Sequence, residues 1–441
     1  MNQSWDPVYR RVRRQTSLVA TLSLFCGMVA IGVAACTQDK SANAEAGRSP
    51  SSDLARVEEL SALLTKEDIM RGVGEDVSRN HFPEQARFEV GSIPVMARLE
   101  YGIQAEEQAY MEKLLSQYRP DYGAFVAVDA KTGRVITMVS RVQGRETLEN
   151  LTLKATFPAA SIFKIVTAGA VLDTNKASPE TRIAFNGANH TLYRRNVVET
   201  KENRWTRRMT LREAFGSSVN TIFGKLGLFY AGPEILRSYA ERFHFNQPIR
   251  ADFPVQIGYT RFTAQDPWSV ASAASGFTLD NTMSPLQGAM IAAAVANDGV
   301  MMEPYIVDRM FDEQGRAMYT AAPRRSHIVV GPETAKSLRE LFEQTVMAGT
   351  SRKSFRQAVH KRRFEDVEFG GKTGSLTGLN PKGKCDWFVG YARFGDQRIA
   401  VAALTVNEAK WRVKSSNLAQ MYLTQYIRSV GKFDTSSESK R

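Results

Sequence analysis

Ser161 is followed three residues later by Lys164, and the pair heads an apolar run, Ile165-Val166-Thr167-Ala168-Gly169-Ala170-Val171-Leu172. Residues three apart share one face of a helix, so the lysine nitrogen reaches the serine hydroxyl. A serine is a weak nucleophile until a base takes its proton, and a lysine is such a base only where burial or a nearby cation keeps it neutral. The run after Lys164 is apolar on nearly every face, the pattern of a buried helix, so burial is what this lysine meets. A proline and two small residues, Pro158-Ala159-Ala160, lead into the pair. The spacing alone decides nothing, because Ser437 and Lys440 repeat it in the polar C-terminal tail.

Two further clusters supply context. Ser218 and Asn220 follow a helical pattern and offer a second hydroxyl and an amide. Lys372-Thr373-Gly374-Ser375 ends a strand pattern after Gly370-Gly371, offering a cation, two hydroxyls and a backbone that approaches a ligand closely. Each motif recurs elsewhere: Ser-x-Asn at Ser41, Ser78 and Ser415, and Lys-Thr-Gly at Lys131 to Gly133. One combination, Ser161, then Ser218, then Lys372, resembles the Ser-x-x-Lys, Ser-x-Asn and Lys-Thr-Gly series of penicillin-binding proteins and serine β-lactamases in order and separation. The flanks Gly123 to Asp129, Leu211 to Ala214, Ser284 to Gln287 and Asp386 to Tyr391 look like those of high-molecular-weight transpeptidase domains, over roughly Arg98 to Gly431.

The resemblance implies a β-lactamase/transpeptidase-like α+β fold with a helical subdomain. It implies a D,D-transpeptidase that cross-links peptidoglycan stem peptides through a Ser161 acyl-enzyme and is acylated by β-lactam antibiotics. Lys164 is then the base, Ser218 the proton relay and Asn220 the orienter of the substrate amide and Lys164. Lys372 keeps its charge and lowers the cost of a neutral Lys164, and with Thr373 it attracts the terminal carboxylate. The N–H groups of Ser161 and Ser375 form the oxyanion hole, and Gly374 lets the strand come close. The same chemistry serves a D,D-carboxypeptidase, an endopeptidase or a β-lactamase, and the same fold a non-catalytic penicillin-binding scaffold or sensor. Ala160 stands where glycine is frequent, Gly276-Phe277-Thr278 replaces a Gly-Gln-Gly, and Ser375 stands where threonine is common. Other proteins of wall synthesis are further partners it implies; the reading calls for no cofactor.

At 441 residues and a formal charge of +12, the chain holds one large domain and an appendage, or two modest domains. Such a charge in the cytoplasm would suggest nucleic acid. The N-terminus argues otherwise: Arg10, Arg11, Arg13 and Arg14 precede an uncharged run from Ser17 to Ala35, an export signal or membrane anchor over residues 1–35. Val33-Ala34-Ala35-Cys36 resembles a bacterial lipobox, with Cys36 as the lipidated residue, and uncleaved anchoring is the alternative. Either places the domain in the bacterial envelope, outside the cytoplasm and held at a membrane, with no nucleic acid as partner. Residues 36–58 read as a flexible tether, 59–96 as a short accessory segment, 97–432 as the transpeptidase domain and 433–441 as a polar tail. Cys385 is alone in the mature domain and reads as a packed thiol. The five histidines show no metal-ligand spacing, so no metal is expected.

Positioning these motifs requires a sheet. Gly123 to Asp129 and Val135 to Ser140 are apolar runs around a turn, predicting a hairpin. Val367 to Thr373, Trp387 to Phe394 and Arg398 to Val406 read as strands far down the chain. Helices are predicted over Leu54 to Leu64, Gln104 to Tyr118, from Thr210 behind a Thr210/Glu213 capping box, and over Glu234 to Phe243, Ser284 to Asn297, Glu333 to Met347 and Asn417 to Val430. The fold class is therefore α+β: a central antiparallel sheet built from both ends of the domain, helices on its faces, and an all-helical subdomain between. Trp387 and Phe388 read as core. The basic stretches from Arg194 to Arg208 and from Arg352 to Arg363 read as solvated faces, the second also suiting an anionic polymer or headgroup.

Overall fold

The computed structural model describes residues 59–438 except 145, 147, 148 and 200. The signal run, the tether, Cys36 and the first part of the helix expected from Leu54 lie outside these. In chain order the main helices are α1 Lys66–Ser78, α2 Ala105–Tyr118, α3 Lys164–Asp173, α4 Leu211–Gly216, α5 Asn220–Lys225, α6 Gly232–Arg242, α7 Pro267–Ser275, α8 Pro285–Ala296, α9 Pro332–Met347, α10 Arg352–Val359 and α11 Ser415–Glu438. The main strands are β1 Gln85–Val90, β2 Ile93–Tyr101, β3 Tyr122–Asp129, β4 Val135–Val142, β5 Val307–Phe311, β6 Ala317–Thr320, β7 Glu368–Leu379, β8 Lys382–Phe394 and β9 Gln397–Asn407.

The strands at the two ends of the domain make one antiparallel sheet in the order β7-β8-β9-β3-β4. Its middle strands are apolar almost without interruption because both faces are covered. Successive residues divide between two cores. Ala124, Val126 and Val128 of β3 join Trp387, Val389, Ala402 and Leu404 under α8, and every residue of that helix is buried. Phe125 and Ala127 turn the other way, to Leu418, Tyr422 and Tyr426 of α11. Ser284 caps α8 by accepting from Gln287 N at 3.1 Å, so this stretch is a helix start. β7 has a neighbour on one side only, and its free edge faces the helical lobe formed by α3 to α7.

One region departs from expectation. The stretch to about Val95, expected to be irregular, holds α1 and the β1–β2 hairpin. Thr65 and Asp68 form a reciprocal capping box, and Ile69, Val73 and Val77 fall on one buried stripe. The boundary drawn after residue 96 falls inside β2, which pairs with β5, and β5 with β6, in a four-stranded sheet. Lys66 binds Glu303 at 2.9 Å, and buried Asp252 accepts from Ile306 N and Val307 N at 2.9 Å each. The segment is thus joined to the domain by backbone pairing. The helices α5, α7 and α10 were not anticipated either, although Asp266-Pro267 is an N-cap and first-turn signal. Helix α11 also runs on to Glu438, through most of the stretch read as a polar tail. Among the described residues no helix is long and apolar enough to cross a membrane.

Trp387 and Phe388 are both fully buried. The Trp387 indole donates from Nε1 to Pro158 O at 2.9 Å and meets Phe157 edge-on, holding the segment that leads to Ser161 against the sheet. Trp387→Phe leaves that buried carbonyl without its donor, a loss of about 1–3 kcal/mol. Denaturant unfolding should show a lower midpoint at unchanged slope.

Candidate active site

Ser161 lies in a single 3₁₀ turn, Ala160–Phe163, that passes directly into α3. Ala160 has φ +50°, a left-handed conformation that an L-residue with a side chain adopts only when its surroundings impose it. Gly276 is part of that imposition. A Cβ there would lie 1.8 Å from Ala160 O, so only glycine admits the approach. On the other side β7 closes in at Gly374, where a Cβ would meet Ile162 Cγ1 at 3.1 Å and Ala159 O at 3.3 Å.

Lys164 is 0% exposed. Its Nζ lies 2.8 Å from Ser161 Oγ, 2.7 Å from Asn220 Oδ1 and 2.5 Å from Ser275 O. The last is a terminal carbonyl of α7, one of those a helix end leaves without an internal partner. One turn further along α3, Thr167 Oγ1 donates to Ala274 O at 2.7 Å, satisfying its neighbour. Asn220 Oδ1 and Ser275 O can only accept, so they take two N–H groups of the amine. The third position faces Ser161 Oγ, the one partner of the three with a proton to give. Burial first, and the positive charge of Lys372 second, push the Lys164 pKa well below its ordinary value. The geometry therefore fits a neutral amine whose lone pair meets the serine hydroxyl.

Ser218 reaches the site through the end of α4. Ser218 N donates to Phe215 O at 3.1 Å and Val219 N to Ala214 O at 2.9 Å, the paired bonds of a helix closed by a left-handed residue. Ser218 has φ +55°, and α5 starts two residues later with Asn220. The Thr210/Glu213 box at the other end of α4 is formed as expected. Lys372, also 0% exposed, donates to Ser218 Oγ and to Thr373 O at 2.9 Å each. Burial lowers its pKa to about 7. Asn220 Nδ2 donates to His190 O at 2.8 Å, which fixes the amide so that its oxygen faces Lys164.

Ser161, Ser218, Asn220, Thr373, Gly374 and Ser375 line one cleft of about 600 Å³ between the free edge of β7 and the helical lobe, with Lys164 and Lys372 buried in its wall. All the residues singled out by the three motifs meet here. His190 and Thr350, which the sequence reading did not single out, also line it, as do Gly276 and Phe277 of the stretch noted as replacing a Gly-Gln-Gly. Thr350 Oγ1 lies 2.5 Å from Thr373 Oγ1. Gly276 had a signal, as the glycine ending a capped helix. His190 had none: its carbonyl accepts from Asn220 and its ring bonds the Ser218 backbone, contacts that no motif marks. Cys385 is buried, and burial raises its thiol pKa to about 12, in keeping with a packed residue.

Residues 123–422 match the family profile of the penicillin binding protein transpeptidase domain. The chain is 27% identical to the peptidoglycan D,D-transpeptidase PbpA of Mycolicibacterium smegmatis over 319 residues, 65% of this chain and 62% of that protein. It is 27% identical to stage V sporulation protein D of Bacillus subtilis over 292 residues, 62% of this chain and 43% of that protein. It thus spans less than two thirds of the length of these relatives. Among solved structures, the D,D-transpeptidase domain of a peptidoglycan glycosyltransferase from Eggerthella lenta superposes with a TM-score of 0.65 at 23% identity, covering 83% of this chain and 91% of that one. The imipenem acyl-enzyme complex of penicillin-binding protein A from M. tuberculosis gives a TM-score of 0.62 at 22% identity, covering 74% of this chain and 79% of that one. At these identities the structural likeness is one of fold.

The two lysines generate a pH signature. Acylation by a penicillin should rise with pH as Lys164 loses its proton and fall as Lys372 titrates near pH 7, a bell-shaped profile. Lys372→Met removes the like charge beside Lys164, so Lys164 holds its proton to higher pH. The rising limb of the acylation rate should move upward in pH; an unmoved limb assigns the depression to burial alone.

Proposed function

The chain belongs to the penicillin-binding protein transpeptidase domain family, and from that membership we propose that it is a peptidoglycan D,D-transpeptidase. One observation carries the reading: a buried lysine amine, its N–H groups taken up by two acceptors, faces the hydroxyl of Ser161. Ser161 Oγ attacks the carbonyl between the two D-alanines of a stem peptide while Lys164 accepts its proton. Ser218, on Lys372, passes a proton to the departing amine, and Asn220 turns its amide to the substrate. Lys372 and Thr373 hold the terminal carboxylate, and the N–H groups of Ser161 and Ser375 stabilise the oxyanion. The acyl-enzyme then passes to the amine of a second stem peptide. A β-lactam acylates the same serine.

The N-terminal export signal supports a site in the bacterial envelope, with a lipidated Cys36 as the anchor and the uncleaved apolar run as the alternative. Mass analysis of the mature N-terminus checks this: a lipidated Cys36 is expected, and a chain that still begins at Met1 rejects it. For the chemistry, Ser161→Ala should abolish labelling by fluorescent penicillin, a loss of at least about 10³-fold in acylation rate. Absence of label on the wild-type protein would overturn the acyl-enzyme mechanism.

A further inference from the structure

The cleft does not end at Thr373. Beyond the Thr350–Thr373 contact it continues into a second cavity of about 460 Å³, and the two share Thr350, Trp411 and Lys414. Trp411 is 43% exposed and lies between two ammonium groups, Lys384 Nζ at 4.5 Å and Lys414 Nζ at 5.6 Å from its ring centre. Lys353 and Arg412 line the outer part. Of the described residues lining the two cavities one is a carboxylate: Asp386, nearly buried, which accepts from Ser415 N at 2.7 Å and feels the charges of Lys414 and Lys384. Four cations around an open aromatic face, against one carboxylate engaged by backbone, form a receptor for an anionic ligand with an apolar or sugar face.

Resting on the transpeptidase reading, we infer that this groove is the acceptor subsite and that it takes a stem peptide carrying free carboxylates. The chemistry fixes the side from which an acceptor enters. In transfer the ester bond between Ser161 Oγ and the acyl carbon breaks, a C–N bond to the acceptor amine forms, and the amine proton passes through Ser218 and Lys164 to Ser161 Oγ. This is the acylation step run backwards with a new amine, so the acceptor nitrogen occupies the position of the departed one. The departed alanine had its carboxylate at Lys372 and Thr373. The rest of an acceptor therefore extends past Thr373, and the groove there is the one that Thr350 opens. Trp411 supports its apolar stem, while Lys384 and Lys414 meet its carboxylates.

The test uses the full-length protein in detergent, a pentapeptide donor ending in D-Ala-D-Ala, and a tripeptide acceptor bearing a diamino acid, with its carboxylates either free or amidated. The ratio of transfer to hydrolysis is read for the wild type and for Lys384→Glu combined with Lys414→Glu. The double variant should lower that ratio about tenfold for the free-carboxylate acceptor, as like charges across a contact do, and leave the amidated acceptor and penicillin acylation unaltered. Equal ratios for wild type and variant with both acceptors overturn the subsite. Hydrolysis alone in the wild type, with penicillin labelling intact, overturns the transpeptidase reading and the subsite with it. Should the double variant lose penicillin labelling, Lys384→Gln and Lys414→Gln singly are read by the same ratio, and wild-type ratios in both overturn the proposal.

Discussion

Two lysines buried in one cleft wall govern the rest of the structure. Lys164 and Lys372 are each shut off from water, and no carboxylate contributes to the shift of either one. An unpaired buried charge costs several kcal/mol, and a second like charge beside it adds to that. The arrangement is tolerable only if the pair carries fewer than two protonated amines. Lys164 is the one that yields: burial and the Lys372 charge push its pKa well below the ordinary lysine value, while burial lowers that of Lys372 to about 7. What would be a defect in a structural core is, on the proposed mechanism, the source of a base.

Keeping that base in place requires the surrounding backbone to hold unfavourable conformations. Ala160, next to Ser161, and Ser218, whose hydroxyl meets Lys372, both have positive φ without being glycine. Each is held by hydrogen bonding or packing outside itself: Ser218 by the two bonds that close α4, and Ala160 by the contact with Gly276 and the strand at Gly374. The ends of α4 and α7 thus serve two purposes at once. They terminate helices in the way helices commonly terminate, and the groups left over at those ends, the Ser218 hydroxyl and the Ser275 carbonyl, become partners of the two lysines.

This explains what was legible in the sequence and what was not. The sheet strands, α2, α3, α6, α8, α9 and α11 announce themselves through apolar pattern and caps, and the motif order picks Ser161, Ser218 and Lys372 from among their repeats. The accessory segment was misjudged although its signal is present: Ala86, Phe88 and Val90 alternate with Gln85, Arg87 and Glu89 along β1, and Ala97 and Leu99 with Arg98 and Glu100 along β2. Their partner β5 lies some two hundred residues away in the chain. Ser275 escaped for a different reason: it acts through its backbone carbonyl, which every residue has and no side-chain pattern marks. The strength of the Lys164 base was legible only in outline. The sequence shows an apolar helix around it, but not that two carbonyl acceptors from other elements would occupy its N–H groups.

The same division bears on the departures from the family pattern. Ala160 replaces a frequent glycine at a position whose φ is +50°, so the substitution retains the conformation glycine would take and adds strain that the neighbours absorb. In Gly276-Phe277-Thr278 the first glycine is the one the structure cannot spare, because it touches Ala160, and it is kept. The changes fall on the next two positions, of which Phe277 is exposed at 42% and lines the cleft. Departures that would disturb the nucleophile are therefore absent or compensated, and those that remain lie where ligands rather than backbone meet the protein. Variation of that kind alters which molecules are received without altering how the serine is activated.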